Sequence, residues 1–156
     1  MIFLNKLVNG LDPEKFFQEI RKSGEGSFGK VYTCVQNNKT YALKKIHVDT
    51  EVLKDEIEKE IAILERIANN LPKPSSIMNF YGYFIDKDKY KELYYCLVFD
   101  FFQSTLRQII TSHQIKGQFF AFDLLETYFQ QFLFGMTYLQ SIGLGLGLGL
   151  GLGLGL

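Results

Sequence analysis

The sequence predicts an α+β fold in which a five-stranded antiparallel sheet and one helix precede two further helices. Between residues 16 and 99, five short runs rich in β-branched and aromatic residues are separated by turn signals. One intervening stretch, residues 50–70, repeats its apolar residues at helical spacing. Beyond residue 103 the helical period takes over and the strand pattern does not return.

Composition sets the outer bounds. Of 156 residues, 47% are apolar and 15% aromatic, which supplies ample material for a core. The exception is residues 143–156, a strict Gly-Leu repeat. Seventeen basic and seventeen acidic side chains cancel, so nothing in the bulk charge favours nucleic acid or a membrane surface, and any anion site has to be local. Cys34 and Cys96 lie in apolar strand-like runs and read as small buried thiols rather than a disulfide or metal ligands. The N-terminus has too short an apolar run for a signal peptide. These features together fit an intracellular, cytoplasmic protein.

In chain order, residues 1–15 carry the turn signals Asn9-Gly10 and Asp12-Pro13 and read as a leader. Residues 16–22 form the first strand. Val31 to Val35 and Thr40 to Ile46 form a hairpin around Asn37-Asn38, two residues that tolerate positive φ. Alternation puts Ala42 and Lys44 on one face, Tyr41 and Leu43 on the other, and leaves the Lys45 ammonium at the solvent edge. In residues 50–70, Leu53, Ile57, Ile61, Leu64, Ile67 and Ala68 form one stripe. Glu60 falls within it and needs a partner, for which Lys44 is the candidate. Pro72 and Pro74 close the helix, and residues 77–85 and 93–99 give two more strands joined by the polar turn at residues 86–89. Ser104 or Thr105 caps a helix through Thr111, and residues 124–142 form a strongly apolar one that expects neighbours on most sides.

The stretch that carries chemistry is Gly24-x-Gly26-x-x-Gly29-x-Val31, with Lys44 thirteen residues after Val31. Glycines let backbone N–H groups approach phosphate oxygens and permit tight turns. The spacing alone also suits an ordinary β-turn. A dinucleotide-binding fold uses the same spacing, and Asp49 stands near the position of its ribose-binding acid. That fold needs a helix after the glycines, whereas Lys30 to Val35 reads as strand. His47 and His113 are isolated among polar neighbours, and no metal-ligand spacing or nucleophilic triad is apparent.

With these residues together, the chain resembles the beginning of a protein kinase domain from about residue 16 to residue 143. The resemblance implies a kinase-like small lobe over residues 16–99, a hinge with partial large-lobe helices over 100–142, and a low-complexity tail over 143–156. It implies an ATP site. Gly24, Gly26 and Gly29 would cover the phosphates with Phe28 at the loop tip. Lys44 would hold the α/β-phosphates and pair with Glu60, while Val31 and Ala42 would sandwich the adenine. Phe99 takes the gatekeeper place, and the Asp100 carbonyl and Phe102 amide would meet the adenine edge. Ser23 departs from the apolar residue usual before the first glycine.

A larger departure follows Tyr138-Leu139-Gln140-Ser141. The family continues into a His-Arg-Asp loop and a metal-holding Asp-Phe-Gly, but here the chain reads Gly-Leu to residue 156. Neither a catalytic Asp nor the family's Mg ligands are present in the sequence. The resemblance therefore implies a truncated kinase domain whose parent phosphorylates protein Ser/Thr, with Tyr not excluded, and a chain without catalysis. The rival reading is a non-catalytic, pseudokinase-like binding or scaffold module acting through the exposed face of its last helix. The tail suits a silk-like strand, an apolar flexible segment, or translation of a telomere-type GGGGTT repeat. Residues 127–156 carry no charge, yet glutamines and glycines argue against a membrane span.

Overall fold

The computed structural model describes residues 17, 19–26, 29–119 and 121–144. The leader, Phe28 and tail residues 145–156 lie outside the described residues. The chain divides into two compact units. The first runs through Asn69 and resumes over Met78–Phe101, and the second comprises Asn70–Ile77 with the chain from Phe102 onward.

The first unit holds strands β1 (Glu19–Gly26), β2 (Gly29–Gln36) and β3 (Lys39–Val48), helix α1 (Glu51–Asn69), then β4 (Phe80–Lys87) and β5 (Leu93–Asp100). The strands form one antiparallel sheet in the order β1-β2-β3-β5-β4. At the β2–β3 turn, Asn37 and Asn38 adopt φ of 49° and 60°, the left-handed pair that matches strand twist in a two-residue hairpin. β1 starts later than the sequence suggests and extends through Gly26, so Gly24 and Gly26 are paired strand residues opposite Val31 and Gly29. The β4–β5 turn also shifts. Asp86 is inside β4, and Asp88 builds the turn by accepting from the Tyr90 and Glu92 amides.

Alternation along β5 divides the core. Cys96 and Val98 join Phe17, Cys34, Leu43 and Phe84 on one face. Tyr95, Leu97 and Phe99 join Ile46 and the α1 residues Ile57 and Ile61 on the other. Being flanked by β3 and β4, β5 buries both faces, hence its nearly unbroken apolar run. Helix α1 begins where the Thr50 hydroxyl accepts from the Leu53 amide at 3.2 Å. It has Glu51 in its first turn and Arg66 in its last, both favourable to the helix dipole.

The second unit contains α2 (Leu106–Ile115) and α3 (Phe122–Ser141). Thr105 and Gln108 form a reciprocal capping box at the start of α2. The helix runs past Thr111 because nothing breaks it before Gly117, whose φ is 61°. Segment Asn70–Ile77 packs with α3. The Tyr138 hydroxyl donates to the Asn70 carbonyl at 2.6 Å, and a Cβ on Gly135 would lie 3.2 Å from Ile77 Cδ1. At the end of α3, Gly143 takes φ 73°. Its amide bonds the Gln140 carbonyl and that of Leu144 bonds Leu139, closing the helix in a Schellman motif. The first tail glycine is therefore a helix terminator.

Candidate nucleotide site

Sheet register gathers most of the sequence-predicted residues onto one face. Gly24 opposes Val31, Val31 opposes Lys44, and Lys44 opposes Leu97. In the next row Thr33 opposes Ala42, which opposes Phe99. Directly opposed residues point to the same side of a sheet, so Val31, Ala42, Lys44 and Phe99 share the face on which α1 packs. There the Lys44 ammonium donates to Glu60 Oε1 at 3.2 Å. The carboxylate within the α1 stripe thus has its partner, and both groups are half-buried rather than sealed from solvent.

The glycines differ in what demands them. Gly29 has φ 128°, and a Cβ there would stand 2.5 Å from the Lys45 carbonyl oxygen. The start of β2 lies too close to β3 for any side chain. Around a Cβ at Gly24 there is nothing within 4 Å, so packing does not require glycine and the space beside Val31 stays open. Gly29→Ala should therefore cost about 2 kcal/mol or more in urea denaturation, through left-handed strain and the backbone clash. Gly24→Ala should change stability by less than about 0.5 kcal/mol.

Asp100, at the end of β5, is held by a network with no sequence signal. Its Oδ2 accepts from the Asn79 amide at 3.0 Å and from Asn79 Nδ2 at 2.8 Å. Its Oδ1 accepts from the Tyr81 hydroxyl at 2.6 Å. Lys39 donates to that hydroxyl at 2.5 Å and lies over the Tyr41 and Tyr81 rings. Burial and the Asp100 hydrogen bond push the Tyr81 phenol up, against the opposing influence of Lys39. Phe102, the remaining adenine-edge candidate, is exposed and belongs to the second unit.

Lys45 corrects the expectation of a solvent-edge lysine. Its ammonium lies 2.6 Å from Asp86 and 4.4 Å from the Tyr94 ring centre, on the sheet face opposite Lys44. Burial alone would lower its pKa, but the Asp86 hydrogen bond and charge outweigh this and raise it. His47 is exposed, 3.4 Å from Glu92 and against the Tyr94 ring, while His113 Nδ1 meets the Ile109 carbonyl. Cys34 and Cys96 are free and buried, and burial pushes both thiols up to about 12. Among the described residues no three His, Cys, Asp or Glu side chains cluster to hold a metal. No helix among them is long and apolar enough to cross a membrane.

Residues 17–144 match the sequence profile of the protein kinase domain. The chain belongs to the protein kinase family. It is 34% identical over 87 residues to the serine/threonine-protein kinases cst-1 of Caenorhabditis briggsae and Caenorhabditis elegans, an alignment covering 54% of this chain and 16% of each relative. It is 36% identical over 75 residues to serine/threonine-protein kinase 4 homolog A of Dictyostelium discoideum, covering 47% of this chain and 15% of that protein. The chain thus spans a small part of the curated relatives it matches. A crystal structure of a kinase domain superposes with a TM-score of 0.64 at 27% identity, covering 78% of this chain and 34% of that one. Kinases of this family transfer the γ-phosphoryl group of ATP with Mg²⁺. The five-stranded sheet, α1 and the two following helices are the small lobe and part of the large lobe of that fold.

Proposed function

We propose that this kinase chain binds ATP through its small lobe and does not itself transfer the phosphoryl group. The observation that carries the reading is the 3.2 Å Lys44–Glu60 pair on the sheet face shared with Val31, Ala42 and Phe99. A cation fixed by a carboxylate beside an apolar wall suits a ligand with a flat base at one end and phosphates at the other.

In this reading residues 16–99 form the small lobe and 100–142 the hinge and first large-lobe helices. Val31 and Ala42 flank the adenine, with Phe99 behind it, and Asp100 offers its backbone carbonyl to the adenine edge. Gly24, Gly26 and Gly29 cover the phosphates, and the open space at Gly24 leaves room for them. Lys44 neutralises phosphate charge, and Glu60 keeps its ammonium in place. Nucleotide held there would present its γ-phosphoryl group, whose transfer in the intact family uses Mg²⁺ held by side chains that this sequence lacks.

The groups that would use it, a catalytic Asp and the metal-holding Asp-Phe-Gly, are absent from these 156 residues. A parent domain bearing them would phosphorylate protein Ser/Thr, with Tyr not excluded. Calorimetry with ATP is expected to give saturable binding, weakened at least tenfold in Lys44→Met by loss of a charge-assisted contact. Radiolabelled ATP should transfer no phosphate to a protein acceptor. Equal affinity in the variant, or measurable transfer, would overturn the reading.

A second reading is a non-catalytic binding module. Its support is α3, where Phe122, Leu125, Phe129, Phe132, Leu133 and Phe134 are exposed, an apolar surface of the kind that marks a partner site. Self-association in size-exclusion chromatography, abolished by Phe129→Glu and Leu133→Glu together, would favour it.

A further inference from the structure

We propose that Tyr95 is a positioning residue, whose phenol holds one flank of α1 so that Glu60 on the other flank faces Lys44. Ile57, Ile61 and Leu64 form the seam of α1 against the sheet. At about 100° per residue, Glu60 lies about 60° to one side of Ile57 and Glu58 about 100° to the other. Each reaches a different strand on the same sheet face. Glu60 accepts from Lys44 of β3, and Glu58 Oε1 accepts from the Tyr95 hydroxyl of β5 at 2.7 Å.

Contact along an aliphatic seam is non-directional and leaves a helix able to roll. Two polar contacts on opposite flanks oppose rolling in both senses. Tyr95 is suited to be the fixed member, since it is buried and its ring stacks on Tyr83 with centroids 6.0 Å apart and planes 16° from parallel. Burial followed by the Glu58 hydrogen bond raises its pKa, so the hydroxyl remains a donor through neutral and moderately alkaline pH. Removing that hydroxyl leaves the seam intact and frees one flank, so Glu60 leaves Lys44 without any loss of core.

Only the nucleotide measurement of the test rests on the proposed ATP site. Zero-length carbodiimide coupling joins an ammonium to a contacting carboxylate, and peptide mass spectrometry quantifies the Lys44–Glu60 product. The Lys45–Asp86 product, from a pair on the opposite sheet face, is the internal reference. Tyr95→Phe is expected to lower the Lys44–Glu60 to Lys45–Asp86 ratio at least threefold and weaken ATP binding by a similar factor. Glu58→Ala, at an exposed residue whose loss leaves the core untouched, should do the same. Glu58→Gln keeps an acceptor for the phenol and should restore the wild-type ratio. A ratio unchanged in both Tyr95→Phe and Glu58→Ala overturns the proposal, even if ATP binds. A reduced ratio in a protein that binds no ATP upholds it and removes the nucleotide reading instead.

Discussion

Leu97→Ala is expected to lower the unfolding free energy by about 3 kcal/mol and at the same time loosen α1. Leu97 is fully buried in the middle of β5, on the face it shares with Ile57 and Ile61. Truncation loses the transfer free energy of the side chain and leaves a cavity under the helix, for which Leu→Ala costs fall in the range of about 2–5 kcal/mol. Phe84→Ala is the matched control. Phe84 is 1% exposed but packs with Cys34, Leu43 and Val98 on the opposite face, and its loss should cost about 3–5 kcal/mol. Urea denaturation should show comparable destabilisation in the two variants. Native hydrogen exchange through global unfolding should accelerate in both, whereas local opening of α1 amides should accelerate in Leu97→Ala and remain near wild type in Phe84→Ala. Equal acceleration of that local opening in both would mean that the two faces do not act separately.

The separation of faces also explains which features were legible in the sequence. Period-2 alternation over Thr40 to Ile46 suffices to send Lys44 and Lys45 to opposite sides, and the 3.6 period of α1 suffices to place Glu60 inside its stripe. Both are local rules, and the Lys44–Glu60 pair is where they meet. What α1 does with Glu58 was not legible, because the partner is Tyr95, 37 residues away on a strand whose neighbour order is a tertiary fact. Lys45 departs from the solvent-edge expectation for the same reason. Its partner Asp86 is 41 residues away and read as a turn residue, when β4 in fact carries it inward. Asp100 shows the same limit, since its partners Asn79 and Tyr81 become neighbours only through the pairing of β4 with β5. Gly29 differs again. The glycine pattern drew attention to it as a phosphate contact, while the geometry adds a backbone reason that no one-dimensional pattern contains.

Raising the pH is expected to unfold the sheet, and the two buried thiols set where this begins. Their ordinary value is 9.0, and burial moves Cys34 and Cys96 to about 12. Between those values the unfolded chain has lost these protons and the native state has kept them. The native state therefore binds more protons, and stability falls as pH rises. With each thiol contributing about 1.4 kcal/mol per pH unit, the pair lowers stability by roughly 2.7 kcal/mol per unit between pH 9 and 12. Tyr95 and Tyr81 add to the slope at higher pH, because their raised phenols also hold protons that the unfolded chain releases. The raised Lys45 ammonium acts in the same sense, its stabilising pair with Asp86 disappearing as it deprotonates. Urea midpoints should be nearly flat from pH 7 to 8.5 and fall steeply by pH 10.5. The Cys34→Ala/Cys96→Ala variant should start from a lower midpoint and fall less steeply. Parallel profiles for the two proteins would show that the thiols are not the groups being titrated.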